Sequence, residues 1–220
     1  MIRISAFVVS LLVLWNASAA GAAQPLPIRL NLNPANWEML SFKGIPETSF
    51  RLTDDGALQV LADKSASVLY MKIADDPVPA RRLQWEWQMV DGLPATDLSK
   101  TEGDDRNLSI YVAFSDNSMM SRIKAMVSPL AAGNVLNYVW GGAQPLDMAH
   151  PYLPKTGRLI VKRLASAPSG AWLAESVDLE ADYRRAFGTP SPGVLYIGVS
   201  SDADALGLKA KGLIRNIDLE

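Results

Sequence analysis

Short runs of alternating apolar and polar residues recur along most of this chain. In the run Leu83–Met89, two tryptophans, a leucine and a methionine alternate with Gln, Glu and Gln. In Leu108–Phe114 the alternate positions are again large and apolar. Strict alternation is typical of a β-strand that buries one face. We therefore predict two strands here, with Trp85 and Trp87 turned into a core and a polar loop between the strands.

The same period, interrupted by turn residues, predicts strands along the rest of the chain. Asp54-Asp55-Gly56 separates two of them, and Gly supplies the positive φ that such a turn requires. The further predicted strands are Ile28–Leu32, Trp37–Phe42, Ser49–Leu52, Leu58–Ala62, Val68–Ile73, Val135–Trp140, Leu159–Leu164, Trp172–Asp178, Val194–Ser200 and Leu213–Leu219.

One segment has helical periodicity instead. Residues 179–187 place their apolar side chains on one helical face, Asp178 stands at the N-cap position, and Gly188 is a stop signal. A shorter helical turn is predicted within Ser118–Pro129. Many short strands with one or two short helices predict an all-β fold, an antiparallel β-sandwich of jelly-roll type.

The first 22 residues have the pattern of a secretory signal peptide. Arg3 precedes the apolar run Ala6–Trp15, and small residues offer cleavage sites up to Ala22. The run is too short to span a bilayer, so we expect a cleaved leader and a periplasmic or secreted protein without a transmembrane anchor. The remaining part, 23–220, is about 198 residues, a length that suits one β-rich domain.

Composition excludes several functions. The chain has 21 Lys and Arg against 23 Asp and Glu, a formal net charge of −2, whereas nucleic-acid binding favours a concentrated basic surface. It contains no Cys, which excludes disulfides, thiolate nucleophiles and Cys-ligated metals. We expect a monomer whose stability comes from its core.

The densest polar group lies in the loop after the tryptophan-bearing strand. Such loops on rigid scaffolds often carry function. We predict a ligand-binding site built from this loop, from the acidic turn after Val194–Ser200, and from the end of Val135–Trp140. Its residues are Lys100, Asp104, Asp105, Arg106, Asn137, Trp140, Asp202 and Asp204.

These side chains are open to more than one interpretation. Carboxylates can bind sugar hydroxyls, coordinate Ca²⁺ or act as acid and base, but they are also common in solvated turns. Trp140, beside a Gly141-Gly142 loop, is the candidate for a partly open stacking platform, with core as the alternative. No metal site or cofactor is predicted, apart from Ca²⁺ as an option.

A complete catalytic set is not recognisable in the sequence. Glu86 is flanked on its own strand face by Gln84 and Gln88, whereas a glycoside hydrolase needs two carboxylates about the scissile bond. His150 is the single His and has no nucleophile motif nearby, so we expect it to be structural or exposed. Catalytic residues therefore remain unknown, and whether the chain is an enzyme remains open.

Several motifs in order resemble a family of exported bacterial β-sandwich proteins catalogued as a domain of unknown function. These motifs are Trp85 to Asp105, Tyr111–Phe114, Asn137–Trp140, Trp172–Gly188 and Asp202-Ala203-Asp204. The resemblance implies a single periplasmic β-sandwich domain and implies no reaction. Members often carry Asn and Thr after the last acidic pair, where this chain has Ala205-Leu206-Gly207.

The function we predict is that of an exported binding protein for a carbohydrate or another hydroxyl-rich cell-envelope ligand. It follows from the polar loop and the absence of a complete catalytic set. Two alternatives remain open. One is a glycan hydrolase or lyase that uses Asp104 or Asp105 with a second carboxylate, and the other is an envelope scaffold with a protein partner.

Overall fold

The computed structural model describes residues 27–116, 118, 133–167 and 169–220. Within these ranges the chain forms thirteen strands, one α-helix and two 3₁₀ turns, at Pro34–Asn36 and Thr101–Gly103. The strands are β1 (Ile28–Arg29), β2 (Glu38–Ser41), β3 (Ser49–Leu52), β4 (Leu58–Asp63), β5 (Ala66–Lys72), β6 (Arg82–Asp91), β7 (Arg106–Phe114), β8 (Val135–Trp140), β9 (Asp147–His150), β10 (Leu153–Arg163), β11 (Leu173–Asp178), β12 (Val194–Asp202) and β13 (Lys209–Leu219), and the helix is α1 (Leu179–Phe187). The predicted leader and most of Ser118–Pro129 lie outside the described residues.

Two sheets form a sandwich. A six-stranded sheet has the order β11-β6-β13-β4-β3, with β1 also paired to β13. A seven-stranded sheet has the order β2-β5-β12-β7-β8-β10-β9. Neighbours run antiparallel throughout the described strands, except that β8 and β10 are parallel. The predicted all-β sandwich is confirmed, with this parallel pair as a departure from a fully antiparallel pattern.

Aromatic side chains from both sheets fill the space between them. Trp85 and Trp87 on β6 are 1% and 0% exposed, as their alternation with polar residues predicts. The Trp85 ring lies 5.6 Å from that of Tyr138, and the Trp87 ring lies 5.5 Å from that of Trp140. Burial of each large side chain contributes about 1.5–3 kcal/mol, and the tilted ring pairs add to this. The tryptophan-bearing strand is therefore central to the core.

The helix and most strands lie where the sequence places them. The Asp178 side chain accepts a hydrogen bond from the Ala181 amide at 2.9 Å, and Gly188 ends α1 with a φ of 75°. The predicted strands Ser49–Leu52 and Val135–Trp140 match β3 and β8 residue for residue. Strand β9 was not predicted, because its four residues form an edge strand with little alternation.

The outer face of the seven-stranded sheet is also apolar near its centre. Side chains alternate along β7, so Ile110 and Val112 face the main core. Tyr111 and Ala113 face the opposite side of the sheet. There they form a second buried cluster with residues of β5 and β8, namely Val68, Tyr70 and Val135. This outer face carries the cavity described below. None of the described helices is long and apolar enough to cross a membrane.

Candidate functional site

A cavity of about 440 Å³ lies over the outer face of the seven-stranded sheet. Its lining divides into two chemically different parts. The apolar wall consists of Leu40, Phe42, Ile45, Ala66, Val68, Val135, Leu153 and Ala205. The polar end consists of Thr101, Asp104, Arg106, Tyr111, His150, Tyr152, Asp202 and Asp204.

Arg106 is the centre of the polar end. Its side chain is only 4% exposed, and its Nη2 donates to Asp104 Oδ2 at 3.2 Å and to Asp202 Oδ2 at 3.0 Å. Its Nη1 donates to the Tyr111 hydroxyl at 3.2 Å. Burial alone would lower the pKa of Arg106, but Tyr111 and the two carboxyl groups raise it overall. The guanidinium is therefore a permanent buried cation that holds β7 and β12 together.

Asp202 and Asp204 form an acidic pair beside this cation. Burial raises the pKa of Asp202 to about 8, although the Arg106 charge opposes the shift. A hydrogen bond with Asp204 further favours the protonated form of Asp202. Carboxylate oxygens of Asp105, Asp202 and Asp204 lie within 4.8 Å of one another. Asp202 therefore retains a proton at neutral pH, and the pair offers both a donor and acceptors.

Asp104 and Asp105 are adjacent in sequence but have different surroundings. Burial raises the pKa of both carboxyl groups. Asp104 lines the cavity and pairs with Arg106. Asp105 accepts hydrogen bonds from the backbone amides of Ala205 at 3.1 Å and Leu206 at 2.7 Å. Asp105 therefore positions the loop that carries Asp204.

His150 lies in the polar end and was not predicted as a site residue. It is 5% exposed, so it is buried rather than exposed. Its Nε2 lies 3.2 Å from Arg106 Nη1, and its Nδ1 lies 3.3 Å from the Tyr152 amide nitrogen. Burial and the Arg106 charge lower the pKa of His150 to about 3, so the ring is neutral. A Cβ at Gly157 would lie 2.8 Å from His150 Cβ, so glycine is needed for this close packing.

Four of the predicted site residues do not line the cavity: Asp105, described above, and Lys100, Asn137 and Trp140. Lys100 pairs with Asp97 at 3.3 Å and leaves 68% of its side chain exposed. Trp140 is fully buried between the sheets, so the expectation of a partly open platform is wrong. Side chains at alternate positions of β8 face the core between the sheets, and Trp140 lies on this core-facing side. Asn137 faces the other side of β8 but is also fully buried, opposite Tyr111 and Leu159.

The Ca²⁺ option concerns the cluster of Asp105, Asp202 and Asp204. Oxygen ligands suit Ca²⁺, but both oxygens of Asp105 already accept backbone amides and Asp202 already faces the Arg106 cation. This donor set therefore fits Ca²⁺ poorly, and the absence of a calcium site stays a prediction.

Fold and cavity together define the class: an all-β sandwich with a ligand-sized cavity on the outer face of one sheet. Residues 35–218 match the family described as "Protein of unknown function (DUF3047)", and the chain belongs to this family. The resemblance found in the sequence is thereby confirmed. No curated protein matches the chain with significant similarity.

Several solved carbohydrate-binding modules share a distant structural similarity with the chain. One is the family 11 module from Clostridium thermocellum in complex with a β-1,3-1,4-mixed-linked tetrasaccharide, with a TM-score of 0.44 and 11% identity over 88% of this chain and 94% of that chain. Another is TmCBM61 in complex with β-1,4-galactotriose, with a TM-score of 0.39 and 12% identity over 86% and 90% of the two chains. A variant of CBM29-2 complexed with mannohexaose has a TM-score of 0.40 and 10% identity over 88% and 89%. Similarity at this level carries no argument about the ligand of this chain.

Proposed function

We propose that this chain is an exported protein that binds a carbohydrate or another hydroxyl-rich cell-envelope ligand in its cavity. The observation that carries the proposal is the convergence of Asp104, Asp202 and Asp204 at one end of the cavity. A volume of about 440 Å³ lies within the range of small-molecule pockets, and such pockets combine apolar lining with a few polar groups. The pattern of the predicted leader Met1–Ala22 supports export.

The chemistry of the polar end favours hydroxyl groups. Carboxylate oxygens of Asp104 and Asp204 accept hydrogen bonds from hydroxyls. The Arg106 Nη groups and the Tyr152 hydroxyl already donate within the protein. Tyr152 is 57% exposed and supplies an aromatic ring at the cavity. Even with Asp202 protonated, the carboxylates of Asp104 and Asp204 outnumber the one guanidinium, so phosphate and carboxylate ligands are disfavoured by charge.

A direct test is retention on an array of glycans and cell-wall fragments, followed by thermal-shift titration of every glycan retained. Replacement of Asp204 by Asn should weaken binding at least tenfold, because a charge-assisted hydrogen bond from a ligand hydroxyl is lost. The control Asp75→Asn removes a fully exposed carboxylate that lies outside the cavity, and it should bind like the wild type. Absence of retention and of thermal shift with every glycan would overturn the proposal.

The second candidate is a glycan hydrolase or lyase, and the raised pKa of Asp202 is the observation that favours it. A carboxyl group that retains its proton near neutral pH suits a general acid. Incubation with polysaccharides should then release reducing ends, and Asp202→Asn should abolish the release. Binding of glycans without release of reducing ends would leave only the binding function.

A further inference from the structure

The apolar wall of the cavity constrains the ligand as strongly as the polar end does. Val68 and Val135 come from the buried cluster on the sheet face, Leu40 lies on the edge strand β2, and Phe42 follows that strand. The side chains of these residues contain no polar atoms. A ligand group lying against them can exchange hydrogen bonds with none of their side chains.

A free oligosaccharide has hydroxyl groups around the whole ring. Hydroxyls turned towards Val68, Val135 and Leu40 would lose their hydration without gaining a partner, which is unfavourable. An alkyl or other apolar group in the same place would gain from burial. The cavity is also small, near the lower end of the range for ligand pockets, which favours one sugar ring over a longer chain.

We propose that the ligand is an amphipathic glycoside, with a neutral hydroxyl-rich head at Asp104 and Asp204 and an apolar aglycone against the apolar wall. This inference rests on the proposed function and names its ligand class. An anionic head is disfavoured because the carboxylates of Asp104 and Asp204 outnumber the single guanidinium of Arg106, and the test below compares a cationic head with the neutral one.

The test is calorimetric titration of the full mature chain with octyl β-glucoside below its critical micelle concentration. Glucose, hexyl β-glucoside, octanoate and octyltrimethylammonium are the comparison ligands. Octyl β-glucoside should bind at least tenfold more tightly than glucose. It should also bind roughly fifteenfold more tightly than the hexyl compound, since it buries two more methylenes and each is worth about fourfold in affinity, the equivalent of about 0.8 kcal/mol.

Matched variants separate the two parts of the cavity. Phe42 and Leu52 are 40% and 41% exposed, and only Phe42 lines the cavity, so neither replacement by Ser should unfold the protein. Phe42→Ser should weaken octyl β-glucoside binding several-fold, and Leu52→Ser should leave it unchanged. Asp204→Asn should reduce the preference for the glucoside over octanoate, because it removes a hydrogen-bond acceptor for the sugar and a negative charge that repels the anion.

The outcomes distinguish this inference from the proposed function. If glucose binds as tightly as octyl β-glucoside and Phe42→Ser has no effect, the inference of an apolar aglycone is wrong. The proposed binding of a sugar is then still supported. If all octyl compounds bind equally regardless of their head, the proposed function and the glycoside both fail. Co-sedimentation with phosphatidylcholine vesicles carrying a glucosyl diacylglycerol, but not with plain vesicles, would assign the ligand to a membrane glycolipid. Binding of the monomeric glucoside without co-sedimentation would assign it to a free glycoside.

Discussion

Arg106 and Asp202 face each other where β7 begins and β12 ends, with 3.0 Å between Nη2 and Oδ2. The register of these neighbouring strands shifts between Ser200 and Asp202, so the pair lies just beyond the regular ladder. Both side chains are almost completely buried. One buried hydrogen bond from a guanidinium to a carboxyl group therefore joins two segments that are far apart in sequence and forms the base of the polar end.

Replacement of Arg106 by Met should destabilise the fold strongly. It leaves the buried Asp104 carboxylate without its cation and the buried Asp202 carboxyl group without its hydrogen-bond donor, and removing one partner of a buried pair costs about 3–5 kcal/mol. Chemical denaturation at pH 7 measures the free energy of unfolding. The control Arg81→Met removes an ion pair whose arginine is 82% exposed, and it should cost no more than about 1 kcal/mol. Equal effects of the two variants would contradict the role given to Arg106.

The free energy of unfolding should fall as the pH rises from about 6.5 to 8. The pKa of Asp202 is about 8 in the folded protein against an ordinary value of 3.8, so the folded state keeps a proton that the unfolded state releases. The stabilisation due to Asp202 is complete below its ordinary pKa of 3.8 and is lost as the pH rises through its folded-state pKa of about 8. One proton corresponds to a slope of about 1 kcal/mol per pH unit.

At lower pH, His150 changes the free energy of unfolding in the opposite direction to Asp202. Its pKa is about 3 in the folded protein against 6.5 ordinarily, so the unfolded state takes up a proton first as the pH falls below 6.5. Below pH 6.5 the effects of Asp202 and His150 on the free energy of unfolding oppose each other. The effect of Asp202 is therefore measured between about pH 6.5 and 8. Denaturation curves across this range should show the slope in the wild type and in Asp75→Asn. The same slope in Asp202→Asn would assign it to another group.

Removal of the Asp105 carboxylate should loosen the loop that carries Asp204. In Asp105→Ala the amides of Ala205 and Leu206 lose their acceptor, which should cost about 1–3 kcal/mol. Hydrogen exchange at these two amides should become faster, while exchange within β7 and β12 changes little. Asp97→Ala is the control, because Asp97 accepts the Ser99 amide in an exposed loop. Unchanged exchange at Ala205 and Leu206 would exclude the role proposed for Asp105.

Calcium should have little effect on the melting temperature. The oxygens of Asp105 accept backbone amides, and Asp202 already accepts a hydrogen bond from Arg106. Melting curves with 1 mM chelator and with added Ca²⁺ should therefore coincide within about 1 °C, below the shift of about 2–4 °C that 1 kcal/mol produces in a domain of this size. A melting temperature that rises with Ca²⁺ and falls with chelator would establish a calcium site.

The local patterns of the sequence predict the strands, the helix and the core tryptophans. Trp85 and Trp87 alternate with polar residues, so only one face of their strand can be buried. In β8 both faces are apolar enough to be buried, and the period does not tell which side is open. That ambiguity is why Trp140 and Asn137 were assigned to a site that they do not line.

The candidate site is only partly predictable for a different reason. Two acidic turns at strand ends can meet at one rim of the sandwich, so four site residues could be predicted: Asp104, Arg106, Asp202 and Asp204. The structure brings all four to the cavity. His150 and Tyr152 enter through the edge strand β9 and its partner β10, which runs parallel to β8. Such long-range pairing leaves no local signal in the chain.

Strand β13 pairs with β6, β4 and β1, and it is the last strand in chain order. The six-stranded sheet therefore lacks its middle until these residues have been synthesised. Folding during translation cannot complete this sheet, and contacts between β13 and strands far upstream make its closure slow. The nascent chain is therefore expected to stay without a complete six-stranded sheet until synthesis has passed this strand.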